Sequence, residues 1–323
     1  MSMHAVFLRL QERLDGSVLG QRQLTARLLV ALLSDGHLLL EGPPGVAKTR
    51  AIKVLASLVE GSFHRLQFTP DLLPADLTGS EVFRPQDGSF RFERGPLFHE
   101  FVLADEINRA PAKVQSALLE AMAERQVTIG LASHPLPPLF MVLATQNPIE
   151  HEGTYPLPEA QLDRFLMQVQ VGYPDASVER DILALARSEA LAASHAPAAP
   201  VEPAATREQV FAARREVLAL HLAPDLEDYI VRLAAASRAP ETLDPALAGS
   251  VRYGASPRGT IALERCARAH AWLAGRDYVS PADIQAVAPD VLRHRVLLSY
   301  EAQAGGLTTE RLLATLLQKV RVP

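Results

Sequence analysis

The chain has 323 residues, 48% of them hydrophobic and 21% charged, a length and composition that can bury a substantial core and favour two domains over one. Thirty-two Lys and Arg stand against 37 Asp and Glu, a net charge of −5 that argues against a broadly basic nucleic-acid-binding surface. A single cysteine, Cys266, excludes an internal disulfide and a zinc cluster built on cysteines, and fits a reducing compartment.

The first sixteen residues carry Arg9, Glu12, Arg13 and Asp15 and lack the apolar stretch and small-residue cleavage site of a signal peptide. No run approaches the roughly 18 uninterrupted apolar residues of a spanning helix. The expectation is a cytoplasmic protein without a membrane span. Strands are expected at His37 to Leu40, Phe63 to Phe68, Phe101 to Ala104, Leu139 to Ala144 and Phe165 to Val171. Helices are expected between and after them, at Lys48 to Val59, Pro111 to Ala123 and Asp175 to Leu191. Apolar strands alternating with helical periodicity predict an α/β fold with a five-stranded parallel sheet.

Two inserts break that rhythm. Glu81 to Phe92 alternates in polarity around Asp87-Gly88, a hairpin turn signal, and Gln126 to Gly130 followed by a Pro-rich return reads as a second hairpin. Ala192 to Thr206 is mostly alanine and proline, a connection with little to pack. The division expected is a nucleotide-binding domain over 1–192, a linker over 193–206 and a helical domain over 207–323. Helices in the last are expected at Arg207 to Leu220, Pro224 to Arg238, Pro257 to Leu273, Pro281 to Leu297 and Thr308 to Val320, with Ser256-Pro257 and Ser280-Pro281 as N-cap and N1 pairs.

The chemistry starts at Gly42-Pro43-Pro44-Gly45-Val46-Ala47-Lys48-Thr49, between an apolar strand and a helix. Such a loop gathers backbone N–H groups around phosphate and adds the positive end of the helix dipole. Lys48 would reach the β and γ phosphates and Thr49 would offer its hydroxyl to Mg2+. The position before the lysine is usually glycine. Alanine fits there in the right-handed region and costs roughly 1–2 kcal/mol if φ is positive.

A second strand ends in Asp105-Glu106, of which Asp105 would hold the magnesium through its water shell and Glu106 would orient and deprotonate the attacking water. A third ends in Ala144-Thr145-Gln146-Asn147-Pro148, where Asn147 would face the γ phosphate or the water, or else serve as an ordinary turn residue before proline. Arg164 follows in Pro158 to Phe165. It suits reaching a neighbouring subunit's phosphate as an arginine finger, the plainer alternative being a surface pair with Asp163 or Glu159. Arg258, in the first turn of a helix, sits where a cation opposes the dipole, so an anion such as a nucleotide phosphate would hold it; an exposed arginine at small cost is the alternative.

These elements in this order resemble the AAA+ ATPases. The wording Leu66-Gln67-Phe68-Thr69-Pro70-Asp71-Leu72-Leu73-Pro74, Asp105-Glu106-Ile107-Asn108-Arg109-Ala110, Ala144 to Pro148 and Gly153 to Phe165 closely resembles the MoxR family, as does alanine at position 47. The resemblance covers essentially the whole chain. It implies an AAA+ core with hairpin inserts followed by a small all-α lid, with Walker A at Gly42 to Thr49, Walker B at Phe101 to Glu106, sensor 1 at Asn147, an arginine finger at Arg164 and sensor 2 at Arg258. It also implies adenine near Leu19 and Gly20, ATP and Mg2+ as ligands, and a helix-2 insert and a pre-sensor-1 hairpin facing the pore or top of a ring. The implied assembly is a hexameric homo-oligomer that hydrolyses ATP to remodel or mature a client protein, often one paired with a von Willebrand factor A domain protein.

Other classes share the fold: a DNA-associated motor or loader, an ATP-gated assembly module with little hydrolysis, and a metal-insertion motor. The acidic balance, and Arg84 as the one basic residue between Asp71 and Phe90, weigh against the first. Glu106 and Arg164 weigh against the second.

Overall fold

The structure, a computed structural model, describes residues 2–86, 88–147, 153–195 and 202–323. In chain order the elements are α1 (Met3–Ser17), α2 (Arg22–Leu33), β1 (Leu38–Glu41), α3 (Lys48–Leu58), β2 (Phe63–Gln67), α4 (Pro74–Thr78), β3 (Gly79–Arg84), β4 (Ser89–Arg94), β5 (Phe101–Asp105) and α5 (Ala112–Glu124). There follow β6 (Gln126–Ile129), β7 (Ala132–Pro135), β8 (Met141–Gln146), α6 (Glu159–Leu162), β9 (Met167–Gln170), α7 (Ala176–His195), α8 (Arg207–Ala219) and α9 (Pro224–Arg238). The chain closes with β10 (Val251–Tyr253), α10 (Pro257–Leu273), α11 (Pro281–Leu292), β11 (Leu297–Leu298), α12 (Tyr300–Ala304) and α13 (Thr309–Lys319).

The five expected core strands form one parallel sheet in the order β2-β5-β8-β1-β9. Registers such as Leu66↔Ala104 and Ala104↔Ala144 bring the carboxyl ends of β2, β5 and β8 side by side. Phe101 through Ala104 and Val142 through Ala144 are fully buried, which explains their unbroken apolar runs: strands covered on both faces have no polar side to alternate with. In an open α/β sheet the ligand crevice lies beyond those carboxyl ends.

Both inserts are hairpins. β3 pairs β4 antiparallel from Gly79↔Arg94 to Arg84↔Ser89, and β6 pairs β7 from Gln126↔Pro135 to Ile129↔Ala132. In the first turn Gly88 has φ +67 and its N–H bonds the Arg84 carbonyl, while Asp87, half of the expected turn signal, lies outside the described residues. The sequence reading marks no helix before β1. There α1 buries Val6, Phe7, Leu10 and Leu14 at helical spacing, and Ser2 caps it through the Ala5 N–H.

By contact the chain falls into two compact units. One comprises Met1–Leu29, Leu39–Pro156 and Val169–Phe211, and the other Val30–Leu38, Leu157–Gln168 and Ala212–Pro323. The expected linker falls partly on residues 196–201, outside those described. Its described end is pinned within the first unit: Ala204 and Ala205 donate to the Leu58 carbonyl, and Ala205 is 1% exposed.

The second unit is helical apart from a two-stranded ribbon, β10 with β11. The helix expected over Pro281 to Leu297 therefore stops at Leu292, because Leu297 and Leu298 pair with Tyr253 and Val251, and a 3₁₀ turn, Arg293–Arg295, makes the connection. Cys266 is fully buried on α10, an apolar filler.

His294, in that turn, is enclosed, and its Nε2 lies 3.1 Å from the Phe165 carbonyl. Burial, helped by the Arg295 charge, pushes its imidazole well below the usual range. The folded protein keeps His294 neutral, so only the unfolded chain gains a proton as pH drops. This contribution to stability is complete above about pH 6.5 and is lost below it, by up to about 1.4 kcal/mol per pH unit. Urea midpoints at pH 7.5 and 5.5 should show that loss, and His294→Gln should flatten it. An unchanged slope in the variant would remove His294 as its source.

Candidate functional site

In the first unit, one cavity of about 360 Å³ opens at the carboxyl ends of the strands. Its lining joins Pro44 to Arg50 with Arg65, Gln67, Asp105, Glu106 and Thr145 to Asn147. Lys48, Thr49, Asp105, Glu106 and Asn147, named separately from sequence, thus share one space because β1, β8, β5 and β2 lie next to one another in the sheet.

The loop after β1 passes close to the end of β9. Val171 donates to the Glu41 carbonyl at 2.7 Å, and a Cβ on Gly42 would collide with the Val171 carbonyl oxygen, so glycine is required there. Pro43, with no N–H of its own, instead contributes its carbonyl: the Lys48 ammonium donates to Pro43 O at 2.9 Å and to Gly42 O. Gly45 has φ +83 and Ala47 has φ +63, so of the two cases for alanine the strained one holds. Left-handed residues at 45 and 47 can turn loop N–H groups to one side, and the first turn of α3 adds N–H groups that have no intrahelical acceptor. Such a loop can cradle an anion.

Opposite it stand the two acids. Asp105 is 7% exposed; its Oδ1 accepts the Thr145 hydroxyl at 2.6 Å, and its Oδ2 accepts Arg65 Nε and Nη2 at 3.0 and 2.6 Å. Glu106 turns its carboxylate elsewhere because its own backbone is left-handed, at φ 58. Its Oε2 accepts Gln67 Nε2 at 2.7 Å and lies 3.0 Å from Arg109 Nε, while its N–H donates to Thr145 Oγ1 at 2.9 Å. Two non-glycine residues with positive φ, Ala47 and Glu106, therefore line the same cavity, and such strain collects at functional sites. Asn147, 7% exposed, completes the lining beyond β8; Pro148 after it lies outside the described residues.

Sequence reasoning missed Arg65, Gln67 and Thr145. The signal was there in part: Arg65 and Gln67 are two apart on a strand, so they share a face, and β2 neighbours the strand that ends in both acids.

Beside the cradle a smaller apolar pocket of about 100 Å³ is lined by Ser17 to Leu19, Gln21, Gly45 to Ala47, Arg50 and, from the far side, Pro174, Ile182, Leu185 and Ala186. Leu19 lines it. Gly20 does not; at φ +74 it turns the chain against Val178.

Arg164 and Arg258 belong to the second unit. Arg164 follows α6, and its Nε is buried with no hydrogen-bond partner. Asp163, the pairing partner weighed from sequence, is engaged elsewhere: by Arg295 at 2.8 Å, by the Ser256 hydroxyl at 2.9 Å and, more loosely, by Arg258 at 3.9 Å. Ser256 also caps α10 through the Arg258 N–H, so Arg258 does occupy the first turn, and its side chain is 58% exposed.

Residues 37–167 match the family model described as the ATPase family associated with various cellular activities, and residues 246–316 match the AAA lid domain. The chain is 49% identical to "Chaperone MoxR1" of Mycobacterium tuberculosis over 95% of its length and 79% of that protein. It is 37% identical to "Protein MoxR" of Paracoccus denitrificans over 92% of its length and 90% of that protein. A crystal structure of a Cytophaga hutchinsonii protein, 43% identical, superposes with a TM-score of 0.91 over 99% of this chain and 96% of that one. With a glycine-bearing loop opening a helix, two consecutive acids at the end of β5 on the same cavity and relatives of this similarity over nearly its full length, the chain belongs to the MoxR family of AAA+ ATPases.

Proposed function

We propose that the chain is a ring-forming chaperone, a cytoplasmic homo-hexamer that spends ATP on remodelling or maturing a client protein, such as one partnered with a von Willebrand factor A domain protein. The convergence of Lys48, Thr49, Asp105, Glu106 and Asn147 on one cavity carries this reading, and the chaperone named among its relatives supports the client class. Among the described residues no helix is long and apolar enough to cross a membrane.

In this reading the cradle from Gly42 to Thr49 takes the phosphates, with Lys48 leaving the Gly42 and Pro43 carbonyls for the β and γ oxygens. The apolar pocket beside Leu19 receives the adenine. Glu106 takes the proton of the attacking water while Asn147 orients that water or the γ phosphate.

Thr49 and Asp105 would hold Mg2+, Asp105 through the ion's water shell, and their donor set fits it: a hydroxyl and a carboxylate that line one cavity. When bound, Mg2+ supplies neutralisation of phosphate charge. Arg164 contributes its cation to a neighbouring subunit's γ phosphate, an assignment supported by its lack of a partner at Nε, and Arg258 adds a second cation.

Lys48→Ala is expected to weaken ATP binding by about tenfold to a hundredfold, the worth of one or two charge-assisted hydrogen bonds. Titration with a fluorescent ATP analogue measures it. Unaltered affinity would remove the cradle from the phosphate-binding role.

A further inference from the structure

Arg295 is 7% exposed, at the end of the turn that follows α11. A guanidinium is costly to bury unless its donors are met, and here all five N–H groups have acceptors. Nε donates to Asp163 Oδ1 at 2.8 Å. Nη2 donates to the carbonyls of Asp163 and Phe165 at 3.2 and 2.6 Å, and Nη1 to the carbonyls of Leu166, at 3.1 Å, and Val291. Four of the five acceptors lie within Asp163 to Leu166, the segment whose second residue is Arg164.

The remaining carboxylate oxygen of Asp163 accepts the Ser256 hydroxyl at 2.9 Å, and Ser256 is the N-cap of the helix that carries Arg258. One ion pair therefore ties the backbone at Arg164 to the helix start at Arg258. Gly259 leaves the passage open: a Cβ there would stand 3.0 Å from Arg295 Cδ. The two cations themselves keep donors to spare: Arg164 Nε has no hydrogen-bond partner, and Arg258 is largely exposed and only loosely paired with Asp163, at 3.9 Å. A packing role alone needs no such division between a saturated arginine and two available ones.

We infer that Arg295, acting through Asp163, is a positioning residue that presents Arg164 and Arg258 as one preset pair of cations to an anionic phosphate. This rests on the reading of Arg164 as a finger for a neighbouring subunit. Lysine keeps the charge at 295 but not the planar five-donor fork, so Arg295→Lys should loosen the segment without emptying it.

The experiment compares ATP turnover, ATP-analogue affinity and assembly for Arg295→Lys, alone and mixed with an excess of Glu106→Gln subunits, which keep an intact Arg164. Alone, Arg295→Lys should lose roughly tenfold to a hundredfold in kcat, the scale for a misplaced catalytic group, with affinity unchanged. In the mixture, turnover per Arg295→Lys subunit should recover several-fold, because an intact neighbour then supplies the finger. Asp163→Asn should behave in the same way, and it substitutes should the lysine variant fail to fold. Wild-type kcat in both variants overturns the inference. So does a defect that mixing leaves untouched while Arg164→Ala subunits recover in the same mixture, a result that leaves the finger reading standing. If Arg164→Ala subunits also fail to recover, the trans reading and this inference fall together.

Discussion

Arg164→Ala is expected to bind ATP as the parent does, to assemble as the parent does, and to lose turnover by about 10³- to 10⁵-fold. The loss is large because a fixed guanidinium meets charge that grows on the transferred phosphoryl group, and binding of the ground state gains little from it. Arg164 is suited to the task by what it lacks, since its Nε has no hydrogen-bond partner while neighbouring Asp163 is engaged by Arg295 and Ser256. Phosphate release should be measured at concentrations where the protein is assembled, together with affinity for an ATP analogue. Mixing with Glu106→Gln subunits, which cannot turn over their own nucleotide but can lend an arginine, should restore part of the activity. Full turnover in the isolated variant would end the finger assignment. Loss without recovery on mixing would place the arginine's action within its own subunit.

The centre of the sheet was legible because β1, β5 and β8 are buried on both faces. Continuous runs such as Phe101 to Ala104 and Met141 to Ala144 leave little choice of element, and the loop and acids at their ends mark the site. The partners of those acids were not legible. Nothing in the order of residues says that β2 lies beside β5, and only that adjacency brings Arg65 to Asp105 and Gln67 to Glu106. The same limit applies to Arg295. From sequence, Arg293-His294-Arg295 falls inside the helix expected over Pro281 to Leu297, whereas long-range contacts to Asp163 through Leu166 make Arg295 a buried clamp. Ala47 shows a different boundary: composition could pose the choice between relaxed and strained backbone, but φ +63 had to be seen.

Glu106→Gln should hold ATP and turn it over about 10²- to 10⁴-fold more slowly, the usual worth of a positioned general base. The substitution preserves size and removes the one property the reaction needs, an oxygen that takes up the water's proton. The backbone should tolerate it, because the left-handed conformation at 106, φ 58, is held by neighbours on both sides of the residue and not by its charge. The Glu106 N–H bonds Thr145 Oγ1 at 2.9 Å, and its carbonyl receives the Arg109 N–H at 2.9 Å. What changes is the side chain's company. Gln67 now donates to Oε2 and could donate equally to an amide oxygen, whereas Arg109 loses its ion pair at 3.0 Å. Since both groups are partly exposed, that pair contributes at most about 1 kcal/mol, too little to account for a rate loss of this size. Comparing thermal midpoints with single-turnover rates separates the two effects. A variant with a parental midpoint, parental affinity and collapsed turnover supports the base, while a variant that hydrolyses ATP at the parental rate removes Glu106 from the proton's path.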